Sequence, residues 1–170
     1  MPVRSIFAVV CGWLFLGLVP SANAQPISTH DLVTLTPAQL DGLYRNGRAA
    51  NLPVGWVKGQ ALVSPGTSLA PVASRGAGLV WQGKRFQADG TARNRFFGLP
   101  IIQGKLSQGT SWLDGQPALI LDYAETSRLY RPYRDEIREV APGVFLGLMH
   151  DRRTSPPTFV RYFALQSPVQ

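Results

Sequence analysis

The stretch RDEIREVAPGVFLGLMH, from Arg134 to His150, is the part of the sequence that indicates the fold most clearly. Two strand-length segments, residues 135–140 and 144–150, flank the turn sequence Ala141-Pro142-Gly143. This arrangement is typical of an antiparallel β-hairpin.

The 135–140 strand has charged residues on both of its faces. Successive side chains of a strand point to opposite sides. The faces therefore carry Asp135, Ile137 and Glu139 on one side, and Glu136, Arg138 and Val140 on the other. If either face points into a core, its charges must be paired, because unpaired buried charges cost several kcal/mol. Alternatively, the strand has a solvated face with cross-strand ion pairs.

Similar strand-length segments alternate with turn residues through most of the remaining chain. Asp89-Gly90 is a strong two-residue hairpin signal, and Asp114-Gly115 indicates another turn. Pro156-Pro157 precedes the last segment, where the missing N–H groups cost no ladder bonds. The predicted strands cover residues 54–63, 78–88, 91–97, 101–106, 118–123, 135–140, 144–150 and 158–165.

One short helix is predicted before the strands. Thr36 is a good N-cap, Pro37 suits the first helical position, and Gln39 completes a capping box. We expect the helix to end at Asn46, and residues 64–75 to form the longest loop. The whole pattern predicts a mainly β fold, namely an antiparallel up-and-down barrel of about eight strands with one short N-terminal helix, or a sandwich of similar size.

The N-terminus has the features of a secretory signal peptide. Arg4 supplies a positive charge, an apolar run extends from Ile6 to Val19, and Ala22-Asn23-Ala24 fits a cleavage site after Ala24. We therefore expect residues 1–24 to be removed, residues 25–35 to form an exposed lead-in, and residues 36–170 to form a single barrel domain. An uncleaved membrane anchor is the alternative, although a span needs about 20 residues. The expected location is periplasmic or secreted.

The composition suits a globular protein that is not a disulfide scaffold. Of the 170 residues, 45% are hydrophobic and 16% are charged, which is too apolar for a disordered chain. The single cysteine, Cys11, lies in the predicted signal peptide, so the mature chain would lack thiol catalysis and thiolate metal sites. No motif predicts a catalytic residue, a metal site or a cofactor.

A formal net charge of +7 favours acidic partners. Such a charge can attract anionic lipid or polysaccharide, although a high arginine content also reflects genome composition. Nucleic acid is a poor candidate for an exported protein, and after cleavage we do not expect an integral membrane protein. The partners that remain are a small hydrophobic or amphipathic ligand and an anionic envelope surface.

Aromatic residues on the predicted strands could form the wall of an internal cavity. The candidates are Trp56, Trp81, Tyr123 and Tyr162. Ordinary core packing explains each of them equally well. Strict alternation on the second strand would place Trp81, Gly83 and Arg85 opposite Gln82, Lys84 and Phe86.

Charged residues near the 135–140 strand could bind the polar part of a ligand. The candidates are Arg134, Glu136 and Arg138, if their side chains point inward. The preceding loop interleaves basic and aromatic residues, namely Arg128, Tyr130, Arg131, Tyr133 and Arg134. This loop would suit contact with an anionic surface through charge and cation–π stacking, or it could simply be solvated.

Several of these segments together resemble a known group of proteins. The order of residues 52–59, 80–86, 111–117, 121–123 and 134–147 is similar to that in uncharacterised bacterial exported proteins of a calycin or lipocalin-like type. The resemblance covers most of the mature chain. It implies an up-and-down barrel with an internal cavity, and it implies no particular activity.

The sequence leaves three functions open. The first is binding of a lipid-like or amphipathic small molecule in a barrel cavity, since barrels of about eight strands can hold one small ligand. The second is an envelope protein that contacts an anionic surface through the basic Tyr/Arg loop. The third is an enzyme that uses paired carboxylates of the 134–140 strand, such as Glu136 and Glu139, as acid and base.

Overall fold

Eight antiparallel strands close into a barrel in the computed structural model, which describes residues 27–167. Each strand pairs with its sequence neighbours, and the first strand closes the barrel by pairing with the last. The strands are β1 Gly55–Leu62, β2 Trp81–Phe86, β3 Thr91–Phe96, β4 Leu99–Thr110, β5 Pro117–Asp122, β6 Tyr133–Ala141, β7 Val144–Asp151 and β8 Thr158–Gln166. The predicted mainly β, up-and-down barrel is therefore confirmed. The proposed signal peptide lies outside the described residues.

Within residues 27–167 three helices accompany the barrel, and the one predicted from sequence has the expected bounds. They are α1 Thr29–Thr34, α2 Pro37–Asn46 and α3 Ala70–Val80. At the start of α2, the backbone N–H of Gln39 donates to Oγ1 of Thr36, and the Thr36 N–H donates to the Gln39 side chain. This reciprocal pair satisfies two backbone donors at the start of the helix. Because both partners lie within four residues of each other, the sequence alone predicts this capping box.

The other two helices correct the sequence prediction. Residues 25–35 are not wholly an exposed lead-in, because α1 buries Leu32 and Val33 against the outside of the barrel. The predicted loop over residues 64–75 ends in α3, which also takes the first three residues of the strand predicted over 78–88. Its sequence is a poor helix former, with Gly and β-branched residues.

Contacts with β1 hold α3 in place. The backbone N–H of Val63 donates to Oγ of Ser74 over 2.9 Å, and the Gln60 side-chain amide donates to the Ser74 carbonyl over 2.7 Å. Ser74 and Ala70 are both buried. A short helix of weak propensity is stable when its packing face is covered in this way.

Apolar residues form one core inside the barrel and another outside it. Every strand contributes to the inner core, whose members include Val57, Phe86, Leu121, Ile137 and Phe163. The outer core lies between the helices and the outer face of β1, β7 and β8, and its members include Leu32, Leu40, Tyr44, Leu146 and Tyr162. Both faces of β7, and both faces of residues 162–165 in β8, are thus buried.

Glycines on the inner face make room for large rings. A Cβ added to Gly147 of β7 would lie 2.1 Å from Cζ of Phe163, which is far below any normal contact. A Cβ added to Gly59 of β1 would lie 2.5 Å from the ring of Trp81. Closely packed interiors tolerate such added volume poorly.

We predict that Gly147→Ala lowers the free energy of unfolding by about 1–3 kcal/mol, because the added methyl group forces Phe163 or β7 to move. Urea denaturation followed by circular dichroism measures this change. Gly42→Ala in α2 is the matched control, since a Cβ there meets nothing within 4 Å and alanine favours a helix by up to about 1 kcal/mol. Equal stability of the two variants would contradict the packing of Phe163 against Gly147.

Candidate functional site

A cavity of about 280 Å³ lies at one end of the barrel, beside the connection between β5 and β6. Six aromatic side chains line it: Trp81, Phe96, Tyr123, Tyr130, Tyr133 and Phe163. Ala61, Met149 and Val160 add aliphatic surface. The highly exposed Leu129 marks the rim. A concave, mostly apolar space with a few polar groups is the usual form of a small-molecule site.

A fully buried polar cluster forms the floor of this cavity. Nζ of Lys84 donates to Oδ2 of Asp135 over 2.7 Å, to Oδ1 of Asn94 over 2.7 Å and to the hydroxyl of Tyr123 over 3.0 Å. The three donors of the ammonium group are thereby all used. The side chains of Lys84 and Asp135 are each only 3% exposed, so this ion pair has almost no screening by solvent.

Asn94, Tyr123 and Trp81 complete the cluster. The Tyr123 hydroxyl donates to Oδ2 of Asp135 over 2.6 Å and accepts from Nδ2 of Asn94 over 2.8 Å. Nε1 of Trp81 donates to Oδ1 of Asn94 over 2.9 Å. Buried polar groups are stable when their partners are satisfied, and this cluster meets that condition by joining residues of four different strand regions.

Burial and aromatic rings control the electrostatics around Lys84. Its Nζ atom lies 4.9 Å from the ring centroid of Phe163 and 5.4 Å from that of Trp81, within the range of cation–π attraction. Burial nevertheless lowers the pKa of Lys84, and the Asp135 carboxylate opposes that shift. Burial also raises the pKa of Tyr123 well above its usual range, with the Asp135 charge as a second cause. Tyr123 therefore stays protonated as a donor.

A β-bulge places Trp81 and Lys84 on the same side of β2. The register with β3 shifts between Trp81 and Gly83, so simple alternation fails there. Gly83 has a φ of +124°, and a Cβ on it would lie 2.2 Å from the carbonyl oxygen of Val57. Only glycine suits such a conformation at this close approach. This bulge corrects the prediction that Trp81 and Lys84 lie on opposite faces.

Arg161 supplies an unpaired positive charge at the mouth of the cavity. It lines the cavity, its side chain is exposed, and no carboxylate among residues 27–167 lies within salt-bridge distance of it. Burial raises the pKa of Tyr130, and the nearby Arg161 guanidinium partly opposes this. The cavity thus has a neutralised ion pair at its floor and a free guanidinium at its rim.

Of the seven ligand-contact residues predicted from sequence, the structure brings only Trp81 and Tyr123 into the cavity. The other five, which are Trp56, Arg134, Glu136, Arg138 and Tyr162, lie outside the cavity lining. Arg134, Glu136 and Arg138 are excluded because the inward face of β6 carries Asp135 and Ile137. Trp56 and Tyr162 are excluded because their neighbours Val57 and Phe163 take the inward positions of β1 and β8. Sequence reasoning did not identify Lys84, Asn94, Asp135 or Arg161 as site residues. For Asp135 no local signal was available, because both faces of residues 134–140 carry charges.

Glu136 and Arg138 instead hold loops against the outer face of β6. Arg138 donates to both carboxylate oxygens of Asp114 at 2.7 Å, and its guanidinium lies 4.4 Å from the ring centroid of Tyr44. Glu136 accepts from Oγ of Ser111 over 2.5 Å and from the backbone N–H of Trp112 over 2.9 Å. These contacts fix residues 111–117 and α2 on the barrel, which is a structural role.

The remaining predicted residues lie on the outer face of the barrel. Trp56 is 42% exposed, with the Arg95 guanidinium 5.0 Å from its ring. The hydroxyl of Tyr162 donates to Oδ1 of Asp41 in α2 over 2.7 Å. The Arg134 guanidinium stacks on Trp112 at 4.2 Å. None of these three predicted residues lines the cavity.

The basic Tyr/Arg loop is divided by the structure. Tyr130 and Tyr133 line the cavity, whereas Arg128 and Arg131 are exposed. Among residues 27–167, no group of three or more His, Cys, Asp or Glu side chains is arranged to hold a metal ion. No helix in that range is both long and apolar enough to cross a bilayer.

Comparison with known proteins identifies a similar fold. No family model and no curated protein matches the sequence. A crystal structure of a protein from Thermomonospora curvata is similar, with a TM-score of 0.53 and 20% identity over 79% of this chain and 89% of that chain. At this level of identity the similarity concerns the fold alone.

We predict that Lys84→Met destabilises the barrel by about 3–5 kcal/mol, because it leaves the Asp135 carboxylate buried without its partner. The double variant Lys84→Met/Asp135→Leu should recover most of this loss, since apolar replacement of a buried ion pair is often neutral. Urea unfolding of the wild type and both variants measures the difference. A double variant that is less stable than Lys84→Met would contradict this account.

His150 should make stability depend on pH. Its side chain is 5% exposed and packs on Trp112; Nδ1 lies 3.8 Å from Oε1 of Glu136. Burial lowers the pKa of His150 below its ordinary value of about 6.5, while Glu136 raises it and Arg134 lowers it further. As the pH falls, His150 therefore binds a proton at a higher pH in the unfolded chain than in the folded barrel.

We accordingly predict that the free energy of unfolding falls as the pH drops below about 6.5, with a slope of up to about 1.4 kcal/mol per pH unit from this residue. Urea unfolding between pH 7.5 and pH 5.5 measures the slope. His150→Gln should flatten the profile, and His30→Gln is the control because His30 is exposed. A profile that is unchanged by His150→Gln would show that other groups cause the acid sensitivity.

Proposed function

We propose that this protein binds a small amphipathic molecule in the barrel cavity. The apolar body of the ligand would lie against the aromatic wall, and an anionic group would face Arg161 at the rim. The observation that carries this proposal is the cavity itself. Its aromatic lining ends at the Arg161 guanidinium, which has no salt-bridge partner within the described part of the chain. Burial of apolar ligand surface supplies affinity, while a charge-assisted hydrogen bond to Arg161 supplies orientation.

The size of the cavity limits the ligand. Pockets for drug-sized ligands usually measure about 300–1,000 Å³, so 280 Å³ lies just below that range. A molecule with one or two fused rings, or a short acyl chain, fits this space better than a long lipid does. Among the lipid-like or amphipathic ligands predicted from sequence, we therefore propose a compact one.

The polar floor supports a recognition role. A buried ion pair contributes little net stability compared with well-packed apolar residues, because both charges lose their hydration. The Lys84–Asp135 pair with Asn94 and Tyr123 is therefore better explained as a device that fixes the shape and polarity of the cavity floor. Such a floor disfavours a purely apolar ligand end and accepts a polar one.

The structure gives less support to the other two functions. Glu136 and Glu139 do not line the cavity, and each has its own partners: Ser111 and Trp112 for Glu136, and Arg48 for Glu139. Exposed Arg128 and Arg131 lie on the β5–β6 connection that also forms part of the rim. They suit a protein that meets its ligand near an anionic envelope, in keeping with the periplasmic or secreted location that we propose from the N-terminal sequence.

Isothermal titration calorimetry with naphthoate, a compact aromatic anion, tests the proposed function. We expect wild-type protein to bind naphthoate more tightly than naphthamide, its neutral analogue. Arg161→Gln should weaken naphthoate binding about 5- to 10-fold, or about 1–1.4 kcal/mol, and leave naphthamide binding unchanged. Ala61→Leu should weaken both probes, because Ala61 lines the cavity.

Arg131→Gln is the matched control, since Arg131 is exposed and does not line the cavity. It should leave the affinities of both probes unchanged. Absence of naphthoate binding to the wild type would overturn the proposed function. Equal binding to the wild type and to folded Ala61→Leu would do so too, because the probe would then bind elsewhere.

A further inference from the structure

Lys84 combines three properties that a covalent carbonyl-binding residue needs. It lines a cavity that can admit a small molecule, it is fully buried from bulk water, and its nitrogen touches both a carboxylate and a phenol. Lysine amines desolvated in apolar pockets are the ones that form Schiff bases with carbonyl compounds. The aromatic rings of Trp81 and Phe163 provide the apolar surroundings here.

We propose that Lys84 forms a reversible imine with an aldehyde or ketone group of the ligand. This inference rests on the proposed function, because it requires the cavity to admit the ligand. The carbonyl group would enter first and reach the floor, while an anionic group, where present, stays at Arg161. The ligand class is thus a compact apolar aldehyde or ketone.

The protons can be accounted for with Asp135 and Tyr123 alone. Nζ of Lys84 first passes a proton to Oδ2 of Asp135, to which it is bonded over 2.7 Å. The free amine then attacks the carbonyl carbon, forming the C–N bond as the carbonyl π electrons move to oxygen. That oxygen takes a proton from the Tyr123 hydroxyl, which regains one from Asp135 over 2.6 Å.

Loss of water completes the step. The nitrogen gives a second proton to Asp135. The nitrogen lone pair then expels the hydroxyl group, which takes that proton from Asp135 through Tyr123 and leaves as water. The product is a protonated imine, with Asp135 again a carboxylate beside it. One aldehyde and one ammonium group give one iminium group and one water, so no oxidant or reductant is required, and hydrolysis reverses the step.

The surroundings of Lys84 favour this reaction near neutral pH. An amine must be unprotonated to attack a carbonyl carbon, and burial lowers the pKa of Lys84. The Asp135 carboxylate that opposes this shift is also the group that can take the proton. The sequence contains three lysines in all, and the other two, Lys58 and Lys105, are exposed. They serve as internal references for ordinary lysine reactivity.

Reductive trapping with naphthaldehyde tests the proposal in the intact protein. Sodium cyanoborohydride reduces any imine to a stable secondary amine, and peptide mapping by mass spectrometry locates the label. At pH 6.5 we expect Lys84 to be labelled at least 10-fold faster than Lys58 or Lys105. Naphthoate, which binds without a carbonyl group able to form an imine, should compete and slow the labelling of Lys84 alone.

Two variants separate the chemistry from simple accessibility. Lys84→Arg should abolish the label at this position and leave the labels at Lys58 and Lys105 unchanged. Tyr123→Phe should slow the labelling of Lys84 several-fold at saturating naphthaldehyde, because it removes the proton carrier and keeps the ring. The decisive comparison, between three lysines of one wild-type molecule, does not depend on whether either variant folds.

Each outcome distinguishes this inference from the function on which it rests. Naphthoate binding with preferential labelling of Lys84 supports both. Naphthoate binding with Lys84 labelled no faster than Lys58 and Lys105 overturns the imine and leaves the binding function in place. Absence of naphthoate binding together with unselective labelling overturns both.

Discussion

The buried ion pair between Lys84 and Asp135 is the constraint on which the interior of this barrel depends. Two charges removed from water are tolerated only when they are paired and their remaining hydrogen bonds are satisfied. Here the partners come from different strands: Asn94 pairs with Lys84 across β2 and β3, and Tyr123 follows β5 beside Asp135 of β6. A slip of one residue in any of these registers would turn one partner away from the others.

The same constraint explains why the cavity lies where it does. Away from the cavity, apolar side chains such as Phe86, Leu119 and Phe145 fill the inner core of the barrel. Around Lys84, every polar atom must keep its partner, so bulky apolar groups cannot approach from all sides. The rings of Trp81 and Phe163 cover the cluster from the side, and the remaining space is the cavity.

Most of the fold was predictable from sequence because its signals are local. Period-two alternation and turn residues such as Asp89-Gly90 depend only on near neighbours, and α2 has a complete capping box. The helix α1 was missed although Ser28 and Asp31 form a capping box, because its 6 residues are too few to show a helical period. The helix α3 was missed because its stability comes from packing against the barrel. The site was only partly predictable. Both faces of 134–140 carry charges, so no local pattern shows that Asp135 rather than Glu136 points inward, and the bulge at Gly83 reverses the alternation at Trp81.

Selectivity in this cavity follows from which polar groups are already satisfied. The ammonium of Lys84 and the hydroxyl of Tyr123 are fully engaged, so a ligand that displaces one of their bonds must replace it or leave a buried group unpaired. A carbonyl ligand that forms an imine leaves Lys84 one N–H, which keeps a positive charge against Asp135. Asn94 still accepts from Trp81, and Tyr123 still bonds Asp135 and Asn94, so no partner is left unpaired. At the rim the requirement is the opposite, since Arg161 has no acidic partner among residues 27–167. The two ends of the cavity therefore favour ligands for different reasons. A ligand at the floor must preserve the charge pair with Asp135, whereas an anionic ligand group at the rim gives Arg161 a partner.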